Sequence, residues 1–359
     1  MFAAILINTN AKELNRVFDY EVPKNMENDI RIGARVFVPF GKGKNLSEGY
    51  VVELKDKSEF SCKEIASIED LLLSESNIEL AKLMSQKYFC NVSDCIKLML
   101  PPGLATKNLD KRIKEKTVRF VYLNKEINEI KEDIENNLKS DKHKRLLEFL
   151  TKNNGVEISE LENLTEVSKS IMKTLEKNGY IKIVEEQVDR NPFVHKNIAR
   201  DEKLELNDEQ QSVYDQIEFM VDNEEFAEFL LKGITGSGKT EVYLQIIERV
   251  IENGKVAMIL VPEISLTPQI VDRFLARFGN CIAVLHSKLS DGERFDEWNK
   301  IRRGEAKIVI GARSAIFAPI KNIGIIIIDE AHDNSYKSDM TPRYNAKDLA
   351  RFIAKQNNI

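Results

Sequence analysis

At 359 residues the chain exceeds what one ordinary hydrophobic core supports, so two or three domains are expected. Charged residues make up 31% and hydrophobic ones 42%, a globular balance, and no apolar run approaches the roughly 20 residues that span a bilayer. A net charge of −5 argues against a protein that coats nucleic acid by bulk electrostatics, while leaving room for local basic patches.

The N-terminus has no basic leader, and its apolar stretch at 1–7 is too short for a signal peptide. It reads as a first strand of a cytoplasmic protein with no membrane partner. Short β-branched or aromatic runs at 3–7, 17–22, 35–38 and 49–54 are punctuated by Pro23, Gly33, Pro39, Gly41 and Gly43, spacing that suits a small β-barrel or sandwich over 1–104. An amphipathic helix follows at 76–88, with Ile78, Leu80, Leu83 and Met84 on one side, and Pro101, Pro102 and Gly103 end the unit. The four cysteines, Cys62, Cys90, Cys95 and Cys281, contain no C-x-x-C pair and read as reduced thiols.

A basic connector is expected over 105–140, carrying Lys107, Lys111, Arg112, Lys114, Lys116 and Arg119; it is either solvated surface or a phosphate contact. Three helical segments at 144–150, 158–164 and 168–177, then Gly179 and a strand at 180–184, suggest a winged helix over 141–190. A spacer or protein-docking domain would share that pattern. A linker spans 191–204, and from 205 to 359 buried strands alternate with helices, as in a parallel α/β sheet. Strands are expected at 226–231, 256–261, 281–285, 307–310 and 323–328.

Two stretches in this last third carry chemistry. Gly233, Ile234, Thr235, Gly236, Ser237, Gly238, Lys239 and Thr240 fit the G-x-x-x-x-G-K-[ST] phosphate loop, between an expected strand and an expected helix at 241–251. Glycines let several backbone N–H groups point at one anion, and the helix N-terminus adds partial positive charge. Lys239 would reach the β- and γ-phosphates of ATP, and the Thr240 hydroxyl would hold Mg²⁺. Four isoleucines at 325–328 then lead into Asp329, Glu330, Ala331 and His332. An acidic pair at the carboxyl end of a buried strand sits where open α/β sheets place ligands. Asp329 suits the Mg²⁺ shell and Glu330 the attacking water, although the pair alone could merely cap a helix. Together the two stretches describe an ATPase of the helicase and translocase type.

Here the sequence resembles the primosomal protein N-prime family, bacterial replication-restart helicases of superfamily two. The phosphate loop through Tyr243, the segments 260–269 and 309–317, the acidic run to Lys337 and the stretch 342–350 are all similar to it, as are 18–20 and 36–41. The resemblance implies a multidomain α/β protein with three parts: a small N-terminal β-barrel, a winged helix and a RecA-like P-loop ATPase lobe. It implies that the barrel captures the 3′ end of a nascent strand, with Phe18, Asp19, Tyr20 and Gly41 in its pocket, and that the winged helix contacts duplex arms. Gln210 would lie against adenine. Pro262, Glu263, Thr267, Arg313 and Ser314 would line a single-strand track. Tyr336, Arg343 and Tyr344 would couple DNA contact to hydrolysis, with His332 between that loop and the γ-phosphate.

Ala331 stands where the family usually has Glu, and Lys63 is the nearest candidate for the basic residue often added to the 3′-end pocket. The chain ends before a second motor lobe, its arginine finger and the family's zinc segment, so no zinc is expected here. An arginine finger is worth about 10³–10⁵ in rate, so weak nucleotide binding and little hydrolysis are expected of this polypeptide alone. The implied activity is ATP-dependent 3′-to-5′ unwinding at stalled forks. Forked and single-stranded DNA, single-stranded-DNA-binding protein and other primosome proteins are the implied partners. Competing readings are another superfamily-two translocase, of restriction or protein-export type, and a fork-binding module without motor activity.

Overall fold

A computed structural model describes residues 1–8, 16–41, 46–71, 73–100, 117–138, 140–165, 167–187, 200–234 and 236–359. The chain divides into two packed units, one formed by Met1–Ile113 with Pro192–Ile359 and the other by Lys114–Asn191.

The first unit opens with five strands, β1 (Phe2–Ile7), β2 (Val17–Glu21), β3 (Ala34–Pro39), β4 (Leu46–Lys55) and β5 (Ser67–Leu71). They form an antiparallel sheet in the order β2-β1-β4-β3-β5. Strand β1, second from the edge, is apolar on both faces because both are covered. Ile5, Tyr20, Val36 and Val51 pack on one side, while Ala4, Leu6, Tyr50 and Val52 meet two helices on the other. Gly49 is required where β4 crosses β1, since a Cβ there would lie 2.5 Å from Ile5 Cγ2 and 3.0 Å from the Leu6 carbonyl. A bridge between Glu21 and Glu64 joins the end of β2 to the segment leading into β5. Helix α1 (Glu75–Tyr88) starts at a capping box of Ser74 and Asn77, and its Ile78, Leu80, Ala81 and Met84 face the sheet. Helix α2 (Val92–Met99) was not anticipated; eight residues are too few for a clear period, and Cys95, Ile96 and Met99 bury it from outside.

The second unit contains β6 (Thr117–Leu123), α3 (Ile127–Asn136), α4 (Asp141–Lys152), β7 (Val156–Glu157), α5 (Ile158–Thr165), α6 (Lys169–Lys177) and β8 (Ile181–Gln187). Its sheet runs β7-β6-β8. The connector expected over 105–140 is thus structured from Thr117 onward: Val121 and Ile130 are fully buried, and Arg119 lies in β6 opposite Glu185. Charged residues on the exposed side, Arg119 in β6 and Glu129, Lys131, Glu132 and Glu135 in α3, masked an apolar side at Ile130 and Ile134. Lys107, Lys111, Arg112, Lys114 and Lys116 lie outside the described residues, as do Pro101–Gly103 and most of the expected linker.

The remainder of the first unit is α7 (Asp208–Asn223), α8 (Lys239–Glu252), β9 (Val256–Leu260), α9 (Pro268–Phe278), β10 (Ile282–Leu285), α10 (Asp291–Arg303), β11 (Ile308–Gly311), β12 (Ile323–Ile328) and α11 (Ala346–Asn357). Its strands pair in parallel in the order β10-β11-β9-β12. Leu244, Ile246, Ile247 and Val250 of α8 cover one face of this sheet. The other face shares its core with the N-terminal helices: Met258, Leu260, Phe317 and Leu349 cluster with Leu80, Met84, Ile96 and Met99. Expected as separate domains at 1–104 and 205–359, the two regions have one continuous interior.

One expected strand is corrected. Residues 226–231 form no strand, and Leu230 is 84% exposed. The segment is tied to α11 instead: Arg351 donates two hydrogen bonds to Glu228, at 2.6 and 2.8 Å, and the Lys355 ammonium sits 5.5 Å above the Phe226 ring.

Gly49→Ala should lower the unfolding free energy by about 1–3 kcal/mol, the usual cost of forcing atoms into a packed crossing. Thermal melting followed by circular dichroism checks this as a drop in the first transition.

Candidate functional site

Parallel pairing brings strand ends level. Leu260 at the end of β9 sits opposite Ile328 of β12 and Gly311 of β11. Pro262 and Glu263, Arg313 and Ser314, and Asp329 and Glu330 therefore all emerge from one edge of the sheet. The phosphate loop reaches the same edge because α8 packs on β9 and β12 through its apolar side.

The loop needs its glycines for conformation and for space. Gly236 (φ 81°) and Gly238 (φ 80°) are both left-handed. A Cβ on Gly238 would lie 2.3 Å from Gln210 Nε2. Gln210 closes the capping box of α7 with Asn207 and donates from Nε2 to the Ser237 carbonyl at 2.9 Å. Lys239 folds back over the loop, donating to the carbonyls of Gly233 at 2.7 Å and Ile234 at 2.9 Å. Thr235 lies outside the described residues.

Across from the loop, burial pushes the Asp329 carboxyl above its ordinary range, and the Glu330 charge adds to this. A hydrogen bond from the Glu330 N–H at 3.0 Å and the positive charge of Lys239 oppose the rise without cancelling it. Tyr243, on the next turn of α8, is pushed up to about 12 by burial, with a Thr240 hydrogen bond lowering it and the charges of Asp329 and Glu330 raising it. Lys239, Thr240, Tyr243, Asp329 and Glu330 thus feel one another's fields. Glu330 adopts φ 46°, a left-handed conformation costing a non-glycine residue roughly 1 kcal/mol or more. His332 is exposed, with Nδ1 3.5 Å from a Glu330 carboxylate oxygen.

Behind the acidic pair, the Tyr336 hydroxyl is buried, 2.9 Å from the Leu260 carbonyl and 2.5 Å from that of Asp329. Arg313 donates to the carbonyls of Ser335 at 3.2 Å and Lys337 at 2.7 Å. Lys337 and Asn345 bridge as a two-residue stem, and Tyr344 is buried edge-on to Phe317 at 5.0 Å. Arg343, at the loop tip, is exposed.

Not every residue expected on the single-strand track faces outward. Pro262 is buried, its carbonyl accepting from Ser265 and Leu266, so it shapes the turn rather than lining a surface. Glu263 and Ser314 are exposed, and Thr267 is half-buried at the start of α9. Ile264, unnoticed in the sequence, is 84% exposed on the same turn; a lone isoleucine among polar turn residues was the available signal.

In the N-terminal sheet the two-residue period of β2 sends Phe18 and Tyr20 to one face and Asp19 to the other. Tyr20 is 4% exposed, its hydroxyl donating to the Pro39 carbonyl at 3.3 Å, while Phe18 packs edge-on against Phe40. Three successive side chains therefore do not line a single wall. Asp19 accepts from Lys55 Nζ at 3.0 Å and Ser58 Oγ at 2.8 Å. Burial works against its charge, but these bonds and the Lys55 charge hold the carboxyl below its ordinary range. Gly41 (φ 73°) accepts from Lys63 Nζ at 2.9 Å.

Comparison with known proteins follows this division. The family model described as "3'DNA-binding domain (3'BD)" of PriA matches residues 4–101, and that described as "Type III restriction enzyme, res subunit" matches residues 203–357. The replication restart protein PriA of Bacillus subtilis is 37% identical over 412 residues, covering 97% of this chain and 51% of the relative. That of Haemophilus influenzae is 35% identical over 365 residues, covering 97% and 47%. Over nearly its whole length the chain is similar to PriA replication restart proteins. It spans about half the length of the curated relatives it matches. The PriA of Treponema pallidum reaches 52% identity over 124 residues, 34% of this chain and 19% of the relative.

A raised Asp329 pKa means the folded chain binds that proton more tightly than the unfolded chain does. The stabilisation is complete below the unfolded pKa and disappears as pH rises through the folded one. At pH 7, without nucleotide or Mg²⁺, Asp329→Asn should therefore melt at a higher temperature than the parent. The gap should close as the pH is taken down into the ordinary aspartate range, which paired thermal melts will show.

Proposed function

We propose that this chain is the fork-recognition and nucleotide-binding part of an ATP-dependent 3′-to-5′ DNA helicase. Its role in this reading is to recognise stalled replication forks in the cytoplasm and restart replication by primosome assembly. The observation that carries the motor half is the meeting of Lys239 and Thr240 with Asp329 and Glu330 at one edge of a parallel sheet. The match of residues 4–101 to a 3′ DNA-binding domain supports the other half.

In this reading Gly233 to Thr240 cradle the phosphates of ATP and Gln210 contacts the base. Lys239 exchanges its two loop carbonyls for phosphate oxygens, which are stronger, charged acceptors. Thr240 and Asp329 fit an Mg²⁺ ion brought in with the triphosphate. A desolvated carboxylate beside a second one is the environment such a cation relieves. When bound, the ion neutralises charge on the transferring phosphoryl group. Glu330 orients the attacking water and His332 faces the γ-phosphate.

The N-terminal sheet is read as a small barrel and the second unit as a winged helix on duplex arms. Asp19, ionised at neutral pH, accepts from the 3′-hydroxyl or a base edge, and Phe18 offers an aromatic edge beside Gly41. Glu263, Thr267, Arg313 and Ser314 border the single strand, and the loop carrying Tyr336, Arg343 and Tyr344 links its occupancy to hydrolysis. Single-stranded-DNA-binding protein and other primosome proteins are the partners this role implies.

Lys239→Ala should weaken ATP binding at least about tenfold, one charge-assisted contact or more, and leave fork affinity unchanged. Asp19→Ala should remove the preference for forks with a free 3′-hydroxyl over phosphate-blocked ones and leave ATP binding unchanged. Fluorescence anisotropy reads both. Equal affinity of the parent for free and blocked forks would refute the 3′-end reading.

A further inference from the structure

The C-terminal end of α1 does more than cover the N-terminal sheet. Tyr88 stands on the stem of the loop that follows the acidic motif. Its hydroxyl accepts from the Asn345 N–H at 3.3 Å. The Lys337 ammonium lies 5.5 Å above the same ring. Lys337 and Asn345 are the two halves of the stem bridge, so one aromatic side chain holds both. Flanking contacts fix the orientation: Lys87 pairs with Asp348 at 3.1 Å, and Gln356 donates to Glu79 at 2.6 Å.

Each end of this contact leads to a candidate site. On one side the stem adjoins Tyr336, whose hydroxyl reaches the Asp329 carbonyl at 2.5 Å. On the other, α1 packs through Leu80, Ala81 and Met84 onto Ala4 and Leu6 of β1, where Ala4 pairs directly with Asp19 of β2. The path has buried side chains at both ends, Ala4, Leu6, Leu80, Ala81 and Met84 on one side and Tyr336 on the other, joined through half-buried Tyr88 and Asn345 and exposed Lys337; contiguous contacts of this kind can transmit small displacements.

We propose that Tyr88 is a positioning residue that couples the N-terminal DNA site to the acidic nucleotide motif. A 3′ end bound beside Asp19 shifts β1 and α1 as a body, and Tyr88 carries that shift into the Lys337–Asn345 stem. Through Tyr336 the stem sets the carbonyl of Asp329 and the strained turn at Glu330. DNA binding and Mg²⁺-nucleotide binding thereby become linked equilibria, each changing the other by the same factor. This inference rests on the reading of both sites given above.

The test measures the affinity of a fluorescent non-hydrolysable ATP analogue, with Mg²⁺, in the presence and absence of a saturating fork with a free 3′ end. The parent chain should show a change of about fivefold or more, the lower end of typical site coupling. Tyr88→Ala should bring that factor to about one while each ligand alone binds within about twofold of the parent, which a merely structural loss would not allow. Tyr88→Phe keeps the ring beneath Lys337 and removes only the oxygen, so it tests the hydrogen bond from Asn345 even if the alanine variant fails to fold; it should lose at least half of the coupling free energy. Coupling that persists undiminished in both variants overturns the proposal, as does a parent that binds both ligands with no coupling. A parent that binds neither ligand overturns instead the functional reading beneath it.

Discussion

The parallel ladder between β9 and β12 is the constraint on which the rest of the first unit depends. Ile327 pairs with Ile259 and Ile328 with Leu260, across more than sixty residues of chain. Without that register Asp329 would not leave the sheet beside the phosphate loop, and Tyr336 would have no pair of carbonyls to join. Strands so apolar bury on both faces, and here one face takes α8 while the other takes the N-terminal helices. The fold spends its most hydrophobic sequence on bringing its most polar loops together.

Electrostatics at that edge are left unbalanced, and the imbalance has a chemical direction. Asp329 is desolvated and faces Glu330, while Lys239, the nearest compensating charge, is engaged with its own loop. In the proposed reading, a polyanion would take up the lysine and a divalent cation entering with it the carboxylates. The left-handed backbone at Glu330 belongs to the same pattern, since strain collects where surrounding structure over-determines a functional turn. Tyr336 supplies that over-determination from beneath.

The N-terminal sheet and the parallel sheet share one core. A linker-joined DNA-binding module would bind independently of the nucleotide site. A sheet whose helices share the interior of its neighbour moves with it in packing terms. Residues such as Tyr88, Met84 and Leu349 gain meaning only in that light.

Much of this was legible beforehand. The phosphate loop and the acidic run announce themselves because their chemistry is local: glycines for left-handed turns, a lysine and a threonine at a helix start, two carboxylates after a buried strand. Strands β9 to β12 and helix α1 were equally plain, since hydrophobic period is written along the chain. Other features depend on partners distant in sequence. Residues 226–231 have the composition of a strand, yet Glu228 and Phe226 find their partners on α11. Thr117–Asn136 looked like a charged connector because a helix or strand shows its apolar side only after folding selects which side is inward. Pro262, Tyr20 and Tyr336 carry identities that suit an exposed ligand surface, and only tertiary packing settled that all three are interior. Sequence by itself determined which chemistry the chain can hold, because reactive groups act through their immediate neighbours. Tertiary structure decided which groups meet and which are covered, because burial and long-range pairing are properties of the whole packed chain.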